Sequence, residues 1–351
     1  MPQAMVNGVK LNYVQIDCER EGACEDLIFV HGLSTNMAFW CFHYATELSR
    51  YYRITVYDLR GHGRSGMTGN GYTPNNMSID LRDLMDHLKI KKAHFIAHSF
   101  GGVITLNLAC LYPERVSSLV LADTHISAIR RMEKDKVWAY GKKIQKILDE
   151  NGFDIDTSLP YFGYRLLNKV AHLQLANAKI SMDLHELISP ILGKYSKRTA
   201  SQWLQLMDTT TAEHELMGDD YLSLESLKRL NFPLLAIYGE HSQAMLTGDH
   251  LLDVWGHAIF RRIRDAGHFF PTSRPGEVIT LCKQFWNGEL TNAVIVRNGE
   301  GKKNYFRSDR LYSRDGAWYF YTREEEEKGP FFDYKDAKKN LETFISLNKV
   351  S

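Results

Sequence analysis

The sequence predicts an α/β fold: a mostly parallel sheet with helices on both faces, a helical cap inserted between two of its strands, and a small C-terminal ββα module. Three observations carry this. Leu27–Val30 is short and wholly apolar, and Ala93–Ile96 and Leu119–Ala122 come close to it, as strands covered on both faces do. Thr124 to about Leu227 shows helical spacing and no convincing strand. After Asn287-Gly288 the pattern changes again, to two aromatic-rich stretches and an amphipathic one. The expected division is a core of residues 1–123 and 228–288, a cap of 124–227 and a module of 289–351.

Asn7-Gly8, between Met5-Val6 and Val9-Lys10-Leu11, tolerates positive φ at both turn positions and predicts a hairpin. Leu27–Val30 then gives a strand and His31–Ser34 a loop. Tyr52–Tyr57 is strand-like, and Asp58–Ser65 is a glycine-rich turn whose charges are expected to pair locally. It lacks the Gly-Lys-Ser/Thr ending of a phosphate loop. Met77, Leu81, Leu84, Met85 and Leu88 recur at helical spacing after Tyr72–Asn76. Ile96–Gly102 reads as strand, tight turn and helix, with Ser99 at the apex. Leu119–Ala122 is a strand that ends at Asp123.

Within the cap, Val137, Tyr140, Ile144, Ile147 and Leu148 share one face of a helix that stops near Asn151-Gly152. Met132, Trp138, Tyr161, Phe162, Tyr164, Met182, Trp203 and Met207 supply a cap core, and some of them should line a pocket, because ligand pockets are mostly apolar. Phe232–Gly239 returns to the sheet, Phe260–Ile263 is a shorter strand and Pro275–Trp286 a closing helix. In the module, Tyr305–Tyr312 and Ala317–Thr322 are strand candidates joined through Asp315-Gly316. Glu324–Glu327 reads as an acidic loop, Gly329-Pro330 as a break and Asp336–Leu347 as a helix.

Hydrophobic residues make up 44% and charged residues 24% of the 351, ordinary proportions for a globular chain. Lys+Arg number 43 and Asp+Glu 42, for a formal charge of +1, so no overall field recruits nucleic acid or anionic membrane. No secretory signal or membrane-spanning run is read, and the expected location is the cytoplasm. Cys18, Cys24, Cys41, Cys110 and Cys282 lack the spacing of a zinc site or disulfide framework and are expected to be reduced thiols.

A serine at a sharp strand-to-helix turn is held in a strained backbone that exposes its hydroxyl, and small residues must stand two before and two after it. Here these are Ala97 and Gly101, with Gly102 allowing close packing of the helix. The serine needs a base within hydrogen-bond reach.

Phe29–Leu33, Asp58–Ser65, Ala97–Gly101 and Asp265–Phe269, in this order and spacing, resemble the α/β-hydrolase family over roughly residues 6–288. The resemblance implies a nucleophile at Ser99, a base at His268 and oxyanion donors in the backbone N–H groups of Leu33 and Phe100. It leaves His31 as a loop-holding residue. The family's acid usually lies three residues beyond the glycine ending the penultimate strand, which from Gly239 is Ser242. Serine cannot supply the charge. Asp123 matches the acid position of some branches, such as the haloalkane dehalogenases, with Glu240 and Asp249 as alternatives.

The implied activity is hydrolysis of a carboxylic ester or thioester through an acyl-enzyme, on a medium or large hydrophobic acyl substrate, free or carrier-bound. Acyl transfer, carbon–carbon bond hydrolysis and a non-catalytic ligand-binding role are the alternatives. Neither cofactor nor metal is called for. The last sixty or so residues resemble a small bacterial domain of unknown function, for which self-association or a protein partner is the expected role.

Overall fold

A computed structural model of the chain describes residues 2–20, 22–130, 138, 140–159, 162–179, 181–184, 197–291, 311–314, 317–321, 327–331, 339–341 and 343–344. These fall into two units, Met1–Leu290 and Thr291–Ser351.

The first unit is organised by β1 (Gln3–Val6), β2 (Val9–Ile16), β3 (Asp26–Val30), β4 (Arg53–Tyr57), β5 (Ala93–His98), β6 (Val116–Ala122), β7 (Leu234–Gly239) and β8 (Ile259–Ile263). They form one sheet in the order β1-β2-β4-β3-β5-β6-β7-β8. The β1–β2 hairpin turns at Asn7 and Gly8, with φ of 44° and 71°. β2 runs antiparallel to β4, and every pairing from β4 to β8 is parallel. Parallel neighbours need crossovers that cover both faces, which is why β3 to β7 carry almost unbroken apolar runs.

The longer helices are α1 (Pro74–His87), α2 (Phe100–Leu111), α3 (Gly141–Glu150), α4 (Phe162–Ala176), α5 (Lys197–Thr209) and α6 (Pro275–Trp286). Thr73 starts α1: its hydroxyl accepts the N–H of Asn76 at 3.2 Å, and Pro74 occupies the first turn, where a missing N–H costs nothing. α1 buries Met77, Leu81, Leu84 and Met85 and packs on α2. α6 buries Val278, Ile279, Cys282 and Phe285 in the cluster that holds Phe29, Trp40 and Tyr44.

Between β6 and β7 the described residues contain helices and no strand. α3 ends at Asn151, with Gly152 at φ 71°, and buries Ile144 and Leu148. Phe162, Trp203 and Met207 are buried, but Met182 is 79% exposed and belongs to no core. Met132, Val137 and Tyr161 lie outside the described residues. Trp203 approaches the His62 ring at 6.2 Å, and a side chain on Gly61 would strike Leu206, so α5 rests on the turn after β4.

Two further expectations are corrected in this unit. Cys18 and Cys24 form a disulfide, because the turn after β2 brings their Cα atoms to 6.3 Å; Cys41, Cys110 and Cys282 are free thiols. Arg60 does not pair inside its own turn. Its guanidinium grips Asp80 on α1, with Nε–Oδ2 at 2.9 Å and Nη2–Oδ1 at 2.6 Å, because the turn packs against that helix.

In the second unit β9 (Leu311–Arg314) pairs antiparallel with β10 (Ala317–Tyr321), and β11 (Glu327–Phe331) adds to the other side of β10. β11 is a strand where a break was expected. It is an edge strand, and there Pro330 breaks no central ladder. Phe320 is buried against Phe331, Leu341 and Phe344, and residues 339–341 and 343–344 are helical. Asp315-Gly316, Glu324–Glu326, residues 305–310 and the rest of 336–347 lie outside the described residues.

Candidate active site

Parallel strands end together, so the loops after β3, β5, β6, β7 and β8 emerge at one edge of the sheet, where open α/β sheets place their ligands. Ser99 follows β5 directly. It sits at φ 55° and ψ −124°, a conformation that L-residues avoid, before helix α2. The turn closes only because its neighbours are bare. A Cβ on Gly101 would stand 2.5 Å from the His31 carbonyl oxygen, and one on Gly102 would stand 2.0 Å from Thr124 Oγ1. The second contact is with the residue after Asp123, so Gly102 fits the helix to the loop beyond β6.

His268, on the loop after β8, reaches both neighbours. Ser99 Oγ–H donates to its Nε2 at 2.9 Å, and its Nδ1–H donates to Asp123 Oδ2 at 2.6 Å. Asp123 is fully buried at the end of β6, itself at φ 52°. Its Oδ1 accepts the N–H of Gly239 at 2.8 Å, and its Oδ2 also accepts the hydroxyl of Ser242. Gly239 admits no side chain there, since a Cβ would meet the Ala266 carbonyl at 2.6 Å.

The structure thus brings Ser99, His268 and Asp123 into one hydrogen-bonded line. Glu240 and Asp249 are engaged elsewhere. Glu240 Oε2 accepts the N–H of Asp265 at 3.0 Å, and Asp249 accepts Arg262 Nη2 at 3.2 Å.

Leu33 and Phe100 flank the serine. The loop after β3 comes close enough that a Cβ on Gly32 would lie 3.0 Å from Ser99 Cβ. Phe100 is the first residue of α2, where an N–H has no intrahelical acceptor. Among the described residues nothing accepts from the N–H of either Leu33 or Phe100. His31 is buried behind them. Its Nε2 accepts the N–H of Leu59 at 3.0 Å and its Nδ1–H donates to Gly32 O at 2.7 Å, which ties the loops after β3 and β4 together.

Reading the motifs left two partners unassigned. Ser242 stands where the family pattern expects an acid, and it instead donates to one. His98 Nε2–H donates to the main-chain oxygen of His268 at 2.9 Å, with its ring stacked on Phe39 at 4.8 Å. Both contacts join residues more than a hundred positions apart, and only their place beside a motif residue hints at them.

Burial pushes His98 well below the ordinary histidine range, reinforced by neighbouring His268. Burial, with help from Arg130 and His268, brings His125 down to about 4. Both rings are therefore neutral near pH 7. Among the described residues Glu240, His241 and Asp265 form the one group with metal-ligand spacing, its atoms within 4.8 Å. Glu240 already accepts from Asp265, and His241 stacks on Tyr140 at 4.2 Å.

Residues 27–275 match the family described as the alpha/beta hydrolase fold. The chain belongs to the α/β-hydrolase family. Residues 296–349 match a domain of unknown function, DUF6316. Among curated hydrolase-family relatives, the cis-3-alkyl-4-alkyloxetan-2-one decarboxylase of Shewanella oneidensis is 25% identical, over 83% of this chain and 89% of that protein. A dihydrolipoyllysine-residue acetyltransferase component of an acetoin cleaving system, from Pseudomonas putida, is 39% identical over 27% of this chain and 25% of its own length. Other curated relatives are likewise matched over up to 40% of their length. The enol-lactonase of Burkholderia xenovorans LB400 shares the fold, with a TM-score of 0.57 and 23% identity over 82% of this chain and 100% of that one. No helix of the described residues is long and apolar enough to cross a membrane.

Proposed function

We propose that this α/β-hydrolase is a serine hydrolase that cleaves carboxylic esters or thioesters through an acyl-enzyme. The observation that carries the reading is the unbroken line from Ser99 through His268 to buried Asp123. Free serine is a poor nucleophile near neutral pH, and a hydrogen-bonded imidazole removes that obstacle. Ser99 Oγ attacks the substrate carbonyl carbon as its proton passes to His268 Nε2. The carbonyl oxygen becomes an oxyanion held by the N–H groups of Leu33 and Phe100, each such donor being worth about 3 kcal/mol of barrier. The tetrahedral species then collapses, and the leaving alcohol or thiol takes the proton from His268. Water repeats the sequence on the acyl-enzyme, giving a proton to His268 and releasing the acid and Ser99.

Asp123 holds the imidazole with Nδ1 protonated, so that Nε2 faces the serine as a base. Proteins named as enol-lactonases are among those it resembles, and a lactone is a cyclic ester, whose hydrolysis suits this mechanism. We read residues 124–227 as a cap over the core of 1–123 and 228–288, and 289–351 as a separate module. The buried aromatics of the cap favour a medium or large apolar acyl group.

Labelling by a fluorophosphonate, read by intact mass on wild type and on Ser99→Ala, tests the reading. One adduct on wild type and none on the variant is expected. No adduct on folded wild-type protein would instead favour a ligand-holding role, with the fold retained and turnover lost.

A further inference from the structure

We propose that Ser242 is a positioning residue for Asp123, the acid that orients His268. This rests on the serine-hydrolase reading and deepens it. Ser242 is buried, at 3% exposed. Its Oγ accepts the N–H of Ala244 at 3.1 Å. Its own proton goes to Asp123 Oδ2, since a carboxylate only accepts. Its main chain is fixed as well, by the Ser242 N–H to Gly239 O bond of 3.0 Å. The hydroxyl is thus clamped in one orientation.

The burden on that hydroxyl follows from the surroundings of Asp123. A buried carboxylate keeps its charge only through hydrogen bonds or a cation. Its partners here are Gly239 N–H on Oδ1, and Ser242 O–H and His268 Nδ1–H together on Oδ2. Oδ1 is fixed by backbone, so Ser242 decides the rotation of Oδ2 toward the imidazole. Ser242 and His268 also share one oxygen, which moderates how strongly that oxygen draws on the imidazolium.

β6 and β7 are parallel neighbours, with Ala122 opposite Ile237, so the loops that follow them emerge side by side. The Ser242 hydroxyl therefore reaches the Asp123 carboxylate from the neighbouring strand end. The titratable groups facing His268 are Asp123, His98 and His125, and Tyr238 of β7 lies behind Asp123. Burial holds both of those histidines below the ordinary histidine range.

The test is the rate of Ser99 labelling and kcat/KM on a p-nitrophenyl ester, across pH, for Ser242→Ala, Ser242→Thr and Asp123→Asn. Ser242→Ala should lose roughly ten- to a hundredfold in kcat with KM little changed, as misplaced catalytic groups do. Its acid limb should move to higher pH, because Oδ2 then draws on the imidazolium alone. Ser242→Thr, which keeps the hydroxyl, should restore both. Asp123→Asn should lose about 10⁴-fold. Labelled wild type with Ser242→Ala inside twofold at every pH overturns this inference alone. Folded wild type that never labels overturns the hydrolase reading and this inference with it.

Discussion

Asp80 and Asp123 are both sealed from solvent, at 2% and 0% exposed, yet the first is answered by a fixed cation and the second by neutral donors and an imidazole. Arg60 grips Asp80 with two parallel bonds, and Asn7 Nδ2 adds a third at 2.8 Å. Burial pushes the Asp80 carboxyl up while the guanidinium pulls it back. Arginine never releases its proton, so this pair can only brace. Asp123 faces an imidazole, which can both accept and release a proton, and its other partners are an amide and a hydroxyl. The same core thus holds one carboxylate for shape and one whose charge can serve a reaction.

Experiments can break that contrast. Ser99→Ala should remove ester turnover by a factor on the order of 10⁴–10⁶ in kcat, with urea melts unmoved. Asp123→Asn should cost about 10⁴-fold in kcat/KM, while Glu240→Gln stays within about twofold. A large loss at Glu240 alone would move the acid to the end of β7.

Arg60→Met should do the reverse. It strands a buried charge and should lower unfolding free energy by about 3–5 kcal/mol, with Ser99 labelling of the folded fraction unchanged. Adding Asp80→Leu should recover much of the loss; a double variant as weak as the single would argue against a stranded charge.

The smallest effect is a slope. His62 Nδ1–H donates to the Arg60 carbonyl at 2.9 Å, and burial, then neighbouring His31, brings the ring down to about 4 from 6.5. Between those pH values the unfolded chain carries a proton that the folded one refuses. Stability from this group is therefore complete above pH 6.5 and falls as pH drops toward 4, by about 1.4 kcal/mol per pH unit. Urea melts of His62→Gln should be flatter by that amount over the same range.

Much of this was legible in local pattern. The hairpin at Asn7-Gly8, the Thr73-Pro74 start of α1 and the apolar strands follow from conformational preference and burial, which act over a few residues. Ser99 and His268 stood in motifs. What escaped depends on partners that local pattern does not name: Arg60 finds Asp80 on the next helix, Cys18 finds Cys24 across a turn, and Ser242 and His98 find the elements beside them. That His268 meets Asp123 and not Glu240 depends on side-chain direction at two adjacent strand ends, which spacing does not encode.

The bareness of Gly101 and Gly102 also bears on anyone wishing to make this protein withstand heat. Glycine in a helix is less favourable than alanine by about 1 kcal/mol, so these positions look like the natural targets. They are closed, because the added methyl groups would strike His31 O and Thr124 Oγ1. Gly163 in α4 and Gly276 in α6 have nothing within 4 Å of an added Cβ. Thermal hardening should begin with Gly163→Ala and Gly276→Ala, at about 0.4–1 kcal/mol each, and leave the serine turn alone.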